Sequence, residues 1–152
     1  MYPRLRKDLI VNEVSQMKNW ICTTIGIIGG AITTFMGGWD MGVMTLVVCM
    51  GTDYIFGLIV AGVFHASRKT KTGRLESHIG WKGLFRKICT LMLVGIGSML
   101  DRYLGMDFLR DAIVIAFIVN EVISIVENLG LMGVPIPKKI KDAIEVLKTK
   151  AN

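Results

Sequence analysis

The sequence has little of what soluble enzymes and disulfide-rich proteins need. It has three cysteines, an odd number without CxxC spacing, and two histidines that lie thirteen residues apart. These counts argue against a disulfide framework and against a zinc site. The chain also lacks a P-loop, a nucleophile elbow and a complete dinucleotide fingerprint. We therefore expect no enzymatic activity, no metal site and no cofactor.

Charged residues are also scarce over long stretches. The 152 residues have a mean hydropathy of +0.53, and 52% of them are hydrophobic. A soluble domain of this length would not need such long uncharged runs, so they predict a single polytopic membrane domain. The net charge is +6. Because the basic residues cluster beside the apolar runs, they indicate membrane topology and anionic lipid, and not nucleic-acid binding.

The apolar runs predict an all-α fold with four transmembrane helices and a short amphipathic helix at each end. Trp20 and Trp39 bound the first run, and a helix of that length spans about 28 Å, close to a bilayer core. The third run is short unless Arg86 and Lys87 snorkel at its start, and a surface or re-entrant helix is the alternative. The predicted segments are an interfacial helix at 1–19, spans at about 20–39, 41–66, 84–103 and 112–130 within a membrane domain of 20–134, and a basic amphipathic tail at 135–152.

The distribution of lysine and arginine predicts the orientation in the membrane. Sixteen of the eighteen lie in the N-terminal segment, in the loop after the second span and in the tail. Under the positive-inside rule, this distribution places both termini in the cytoplasm. Met17 is a candidate second translation start. The basic residues expected to face anionic lipid are Arg68, Lys69, Lys71, Arg74, Lys138, Lys139 and Lys141.

The predicted span at 112–130 carries a polar face. At about 100° per residue, five of its polar side chains fall within an arc of roughly 120°. They are Asn120, Glu121, Ser124, Glu127 and Asn128. These residues offset most of the free energy that the apolar residues contribute to insertion, so the helix needs partners that cover its polar face. Asp53, near the middle of the second span, either lines the same watery surface or hydrogen-bonds a neighbouring helix.

Glycines mark the places where membrane helices could approach each other closely. Gly26 and Gly30 form a small-xxx-small pair in the first span, and Gly38 continues the same stripe. Gly57 lies near Asp53 in the second span. Gly95 supplies a similar surface in the third span, so we expect helix contacts at all five glycines.

Four stretches of the sequence carry a resemblance to a known family: DYIFG at 53–57, GWKGLFRK at 80–87, NEVISIVEN at 120–128 and GVPIPK at 133–138. Over residues 39–147 the chain is similar to the toxin-secretion/phage-lysis holin family. The most specific part is E-x-x-S-I-x-x-N followed by G-x-P-x-P-K.

The resemblance implies a phage-encoded or phage-derived protein of the bacterial inner membrane. Such proteins accumulate, form homo-oligomers and permeabilise the membrane, which releases an endolysin or, in some members, a toxin or bacteriocin. The family has no agreed catalytic residues, so none transfers. The residues themselves leave two other functions open. One is a proton- or cation-coupled carrier that uses Asp53 and Glu121, and the other is a non-conducting adaptor whose basic tail recruits a soluble partner.

Overall fold

The computed structural model describes residues 2–67 and 76–151, which form five α-helices and no strand. The all-α prediction is therefore confirmed for these residues. The helices are α1 (Tyr2–Phe35), α2 (Met41–Gly62), α3 (Ser77–Leu104), α4 (Leu109–Leu131) and α5 (Lys138–Ala151).

Three of these helices, α2, α3 and α4, are long and apolar enough to cross a membrane. The predicted number of four spans is therefore not confirmed, since three helices qualify by length and composition. The third predicted span is among the three, because the helix that contains it has 28 residues. The second predicted span is shorter than expected, since α2 ends at Gly62 and not at residue 66.

The first predicted span has different ends in the structure. It is continuous with the N-terminal segment, so one helix of 34 residues replaces an interfacial helix and a separate span. This helix ends at Phe35 because Gly37 and Gly38 adopt φ angles of 82° and 116°, which L side chains rarely adopt. Trp39 therefore lies in the turn before α2, and Gly38 forms part of that turn instead of a helix–helix contact.

The bundle is built around α4. α2 packs against α4 most extensively, and α3 packs against it over a smaller area. Lipid is as apolar as these side chains, so close packing and polar contacts hold such a bundle together more than hydrophobic burial does. The buried apolar core consists of Met36, Val43, Leu46, Met50, Val94 and Val114.

α1 meets the bundle near its C-terminal end, through α3. A Cβ atom at Gly95 would overlap the ring of Phe35, so the missing side chain lets α1 approach α3. Arg102 Nη2 donates a hydrogen bond to the carbonyl oxygen of Thr34 at 2.6 Å. Both contacts lie in the last turn of α1, so this helix is attached to the bundle at one end.

The preceding part of α1 is exposed. Side chains of residues 12–32 are all exposed in the single chain. A Cβ atom added at Gly26 or Gly30 would meet nothing within 4 Å. The close contacts expected at these two glycines are therefore not made within one chain.

Replacing Gly95 with valine should loosen the contact between α3 and α1. The new side chain would overlap Phe35, and overpacking of this kind costs about 1–3 kcal/mol. We expect the free energy of unfolding to fall by that amount, measured by titration with SDS in mixed micelles and followed by circular dichroism. Gly29→Val is the matched control, because a Cβ atom at Gly29 meets nothing within 4 Å. Equal losses in the two variants would contradict the packing role of Gly95.

Candidate functional site

Three ionisable side chains on different helices lie at the same depth in the bundle. Asp53 lies nine residues before the end of α2, Lys87 ten residues after the start of α3, and Glu121 ten residues before the end of α4. At 1.5 Å per residue, each lies about 14–15 Å from the same end of the bundle. That distance is about half the thickness of a bilayer core.

Lys87 joins the two carboxylates. Its Nζ atom donates hydrogen bonds to Asp53 Oδ2 at 2.9 Å and to Glu121 Oε2 at 2.5 Å. Asn128 Nδ2 donates to Asp53 Oδ1 at 3.0 Å and lies 3.4 Å from the carbonyl oxygen of Asp53. Gly57 faces the same amide, since a Cβ atom there would lie 4.0 Å from Asn128 Nδ2. Asp53, Lys87, Glu121 and Asn128 are termed the carboxylate–lysine cluster, and together they connect α2, α3 and α4.

The carboxylate–lysine cluster is largely buried. Asp53, Glu121 and Asn128 are 7%, 7% and 8% exposed, and the Lys87 side chain is 13% exposed. Charges at such positions need partners, and removing one partner of a buried pair costs about 3–5 kcal/mol. With both carboxylates ionised, a single ammonium group faces two negative charges. Counted by formal charges, the cluster thus has one acid more than it has bases, even though each charged group has a partner.

A cavity of about 160 Å³ lies between α2, α3 and α4, and its lining combines charged and polar side chains with apolar ones. The cavity is lined by all six polar residues that were predicted to face water: Asp53, Asn120, Glu121, Ser124, Glu127 and Asn128. Glu121 and Asn128 are buried, whereas Asn120 and Glu127 are exposed. The polar face of α4 thus runs from the interior of the bundle to its surface. Asp53 combines the two alternatives considered for it, because it lines this cavity and also binds neighbouring helices.

Lys87 does not lie where a snorkelling lysine would. Arg86 is exposed, but Lys87 turns inward to the two carboxylates. The reason is that α3 begins at Ser77, so Lys87 is already almost three turns inside the helix, by roughly 3.6 residues per turn. The equal depth of the lysine and the two acids would signal this contact, but it can be counted only from the helix ends that the structure supplies.

The basic residues expected at the lipid surface fall into two groups. Arg68, Lys69, Lys71 and Arg74 lie outside the described residues. Lys138, Lys139 and Lys141 are all exposed on α5. The same helix exposes three large apolar side chains, those of Ile140, Val146 and Leu147. A shallow groove between α5 and the end of α4 is lined in part by Ile144 and Leu131.

A cluster around Arg110 holds the opposite end of the bundle. Arg110 Nη1 donates to Asp40 Oδ2 at 2.6 Å and to Asp111 Oδ1 at 2.9 Å, and its Nε atom donates to the carbonyl oxygen of Met36 at 2.7 Å. Asp40 also caps α2, because its Oδ1 atom accepts from the backbone N–H of Val43 at 2.9 Å. The hydrogen bonds from Arg110 and Val43 hold the pKa of Asp40 below its usual value of 3.8.

Asp101 caps α4 from the neighbouring helix. Its carboxylate accepts from the backbone N–H groups of Leu109 at 3.1 Å and Arg110 at 2.8 Å. Phe108, the residue at the cap position of α4, makes no side-chain cap of its own. Asp101 is 7% exposed, and it satisfies two helix N–H groups that would otherwise need other partners. The turn between α3 and α4 is tight because Gly105 adopts a φ angle of 68°.

Within residues 2–67 and 76–151, no group of three or more His, Cys, Asp or Glu side chains is arranged to hold a metal ion. The arrangement that the bundle does offer is a set of paired charges beside a polar cavity, inside helices of membrane-spanning length. Such an arrangement suits a membrane protein whose polar interior can meet water.

Comparison with known proteins identifies the family. A sequence-family model, described as the bacteriophage holin family, matches residues 30–149 of the chain. The chain belongs to the bacteriophage holin family. This finding confirms the resemblance seen in the sequence, and it makes this holin-family protein a member of a group of non-enzymatic membrane proteins.

Several relatives cover most of this holin-family chain. An uncharacterized protein of Clostridium perfringens is 36% identical over 136 residues, which cover 87% of this chain and 95% of the relative. One from Halalkalibacterium halodurans is 36% identical over 128 residues, which cover 80% and 89%. The "Probable holin" of Bacillus phage phi105 is 34% identical over 92 residues, which cover 60% and 66%. No solved structure matches the chain.

Asp40→Asn should make the free energy of unfolding less dependent on pH in the acidic range. Because the folded-state pKa of Asp40 is lowered, its stabilising effect is present above about pH 4 and is lost as the pH falls through the folded value. Asparagine caps a helix as well as aspartate does, so the variant loses mainly the pairing with Arg110. Since Asp40 is half-exposed, we expect a difference below about 1 kcal/mol at neutral pH.

The measurement is the free energy of unfolding in mixed micelles at about pH 6 and about pH 3. The wild type should be the more stable protein at the higher pH, and the two should converge at the lower pH. Asp107→Asn removes a carboxylate from the neighbouring loop and serves as the control. A difference of the same size at both pH values would rule out the contribution of the Asp40 charge.

Proposed function

We propose that this protein is a holin that accumulates in the bacterial inner membrane, associates with copies of itself and opens lesions that release an endolysin, a toxin or another cargo. Membership of the bacteriophage holin family supports this role, as does a relative named "Probable holin". The observation that carries the proposal is the cavity with charged and polar lining residues between three helices of membrane-spanning length. The cargo passes through the lesion and is not a tightly bound partner.

The polar face of α4 supplies the lining of the lesion. In a single chain it is only partly covered, because Asn120 and Glu127 lie at the surface while Glu121 and Asn128 lie inside. Exposed polar side chains on a membrane-spanning helix are unfavourable against lipid. Association that brings the polar faces of several copies together is therefore favoured. Water between these faces would then be lined by Asp53, Asn120, Glu121, Ser124, Glu127 and Asn128.

α1 provides the surface for association between copies. It is exposed over residues 12–32, and its small-xxx-small pair, Gly26 and Gly30, would let another helix approach closely. Gly57 and Gly95 have different tasks, since they face Asn128 and Phe35 within the chain.

Four crossings and two cytoplasmic termini complete the proposal. The C-terminal end of α1 lies where α2 and α4 begin and where α3 ends, since Thr34 binds Arg102 and Met36 binds Arg110. This end is opposite to the basic loop between α2 and α3. With that loop in the cytoplasm, as the positive-inside rule requires, α1 crosses as the fourth span and its N-terminus is cytoplasmic.

α5 and the basic loop hold the cytoplasmic side of the protein on anionic lipid. α5 combines exposed lysines with exposed apolar side chains, which is typical of a helix in the membrane interface. Each lysine near an anionic surface contributes about 1 kcal/mol. The sequence adds Arg68, Lys69, Lys71 and Arg74 to the same side.

Replacing Lys138, Lys139 and Lys141 with glutamine should weaken the binding of α5 to anionic lipid about 100-fold, because three charges contribute roughly 3 kcal/mol. The full chain, with its native cysteines changed to serine, carries an environment-sensitive fluorophore attached through Val146→Cys. We expect blue-shifted emission in vesicles that contain phosphatidylglycerol. The shift should vanish in the triple variant and in high salt, where the charges are screened. Emission that does not depend on lipid charge would count against the lipid contact.

Glu121→Leu should lower permeabilisation without lowering insertion, because it removes a charge from the proposed lining and makes α4 more apolar. Release of a small dye and of a protein-sized dextran from liposomes is measured at increasing protein density. The wild type should release both above a steep threshold. At equal density the variant should release less, on the order of tenfold, which corresponds to about 1.4 kcal/mol. Asp107→Leu removes a carboxylate from an exposed loop and is the control.

The size of the released marker separates the three functions. Release of both markers is the result expected of a holin. Saturable ion flux without dye release would overturn the holin function and favour a carrier that uses Asp53 and Glu121. No flux at all, together with loss of activity when residues after 137 are deleted, would favour the adaptor function. Unchanged release by Glu121→Leu would remove Glu121 from the lining.

A further inference from the structure

We propose that the carboxylate–lysine cluster is an electrostatic latch that holds α2, α3 and α4 together around the cavity, and that its net charge sets the protein density at which the membrane opens. The inference rests on the proposed holin function and adds to it the group that holds the resting state.

The position of Lys87 supports a latch. It belongs to α3, but its Nζ atom contacts a carboxylate on α2 and another on α4. Asn128 adds a direct bond between α4 and Asp53 on α2. Because the bonds connect all three helices at one depth, separating any helix at this depth breaks at least one of them.

The cavity determines what replaces those bonds. Its volume of about 160 Å³ and its polar lining, which includes Asn120, Ser124 and Tyr54, leave room for several water molecules. A carboxylate that moves away from Lys87 can therefore be hydrated inside the protein instead of facing lipid. The closed and open states thus both satisfy the charges, which is what a two-state element requires.

In this proposal, each additional unbalanced negative charge in the cluster favours the open state. One lysine contacts two acids, so the cluster has an excess of one negative formal charge. Lys87→Met raises the excess to two and leaves Asp53 and Glu121 to repel each other in a low-dielectric interior. Glu121→Gln and Asp53→Asn each reduce the excess to zero. The other charged residues that line the cavity, Glu76, Arg86 and Glu127, are the same in all variants.

The charge model and a simple loss of contacts predict different effects of the variants on the protein density at which the membrane opens. If only the number of bonds mattered, Lys87→Met and Glu121→Gln would both weaken the closed state and shift opening in the same direction. The charge model predicts opposite shifts, because one variant increases the excess charge and the other removes it. It also predicts that Lys87→Met/Glu121→Gln, in which the two charge changes offset each other, opens at a density between those of the two single variants.

The test is the threshold protein density for release of a protein-sized dextran from liposomes. We expect a several-fold lower threshold for Lys87→Met, a several-fold higher threshold for Glu121→Gln, and a threshold between these two for the double variant. Lys82→Met is the control, because Lys82 is an exposed lysine of the same helix and does not line the cavity. Shifts of Lys87→Met and Glu121→Gln in the same direction, or an unchanged threshold for Lys87→Met, would overturn the latch.

The outcomes separate this inference from the function on which it rests. If the wild type releases no dextran at any density, the proposed function fails. If the wild type releases dextran but the variants do not follow the order of net charge, only the latch fails. If Lys87→Met does not accumulate in membranes, Asp53→Asn carries the test, since its zero net charge predicts a raised threshold. A threshold at or below that of the wild type would then overturn the latch.

Discussion

The need to pair charges inside a membrane bundle is the constraint on which the rest of this structure depends. Asp53, Lys87 and Glu121 can meet only if α2, α3 and α4 keep one relative register, because each residue lies nine or ten positions from the same end of the bundle. A shift of one helical turn would move a charge about 5.4 Å from its partner. In a low-dielectric interior that loss is larger than the gain from most apolar contacts, so the ion pairs select the register and the apolar core fills it.

The opposite end of the bundle obeys the same rule with different groups. Arg110 binds Asp40 and the carbonyl oxygen of Met36, while Asp101 caps the start of α4. These contacts satisfy backbone groups at helix ends, which cannot remain unpaired near lipid. α2, α3 and α4 are thus tied together at one end and at mid-depth. α1 and α5, which have few contacts with this unit, present their exposed side chains to partners outside the single chain.

The sequence predicts the parts of this arrangement that follow from periodicity and composition. Helical spacing groups Glu121, Ser124 and Asn128 on one face, and all three line the cavity. Hydropathy predicts four spans, of which the three in α2, α3 and α4 are long and apolar enough to cross. It cannot reveal that α1 ends at Phe35, because the break depends on backbone angles at two glycines. Nor does it reveal the role of Lys87, because snorkelling and pairing suit the same residue, and only the arrangement of three helices decides between them. The equal depth of Asp53, Lys87 and Glu121 becomes informative only once the helix ends are known.

A bundle designed for stability alone would not need this cluster. Well-packed apolar residues in place of a buried ion pair are often as stable or more stable, so buried charges are weak evidence for stabilisation. Under the proposed function, their value would lie in the difference between two states. In the dry state they would hold three helices together, and in the wet state they would line a polar opening. A holin that accumulates without harm and then admits water needs such a difference. Two carboxylates that share one lysine suit this task, because the contacts favour the closed state while the excess of acids over bases favours hydration.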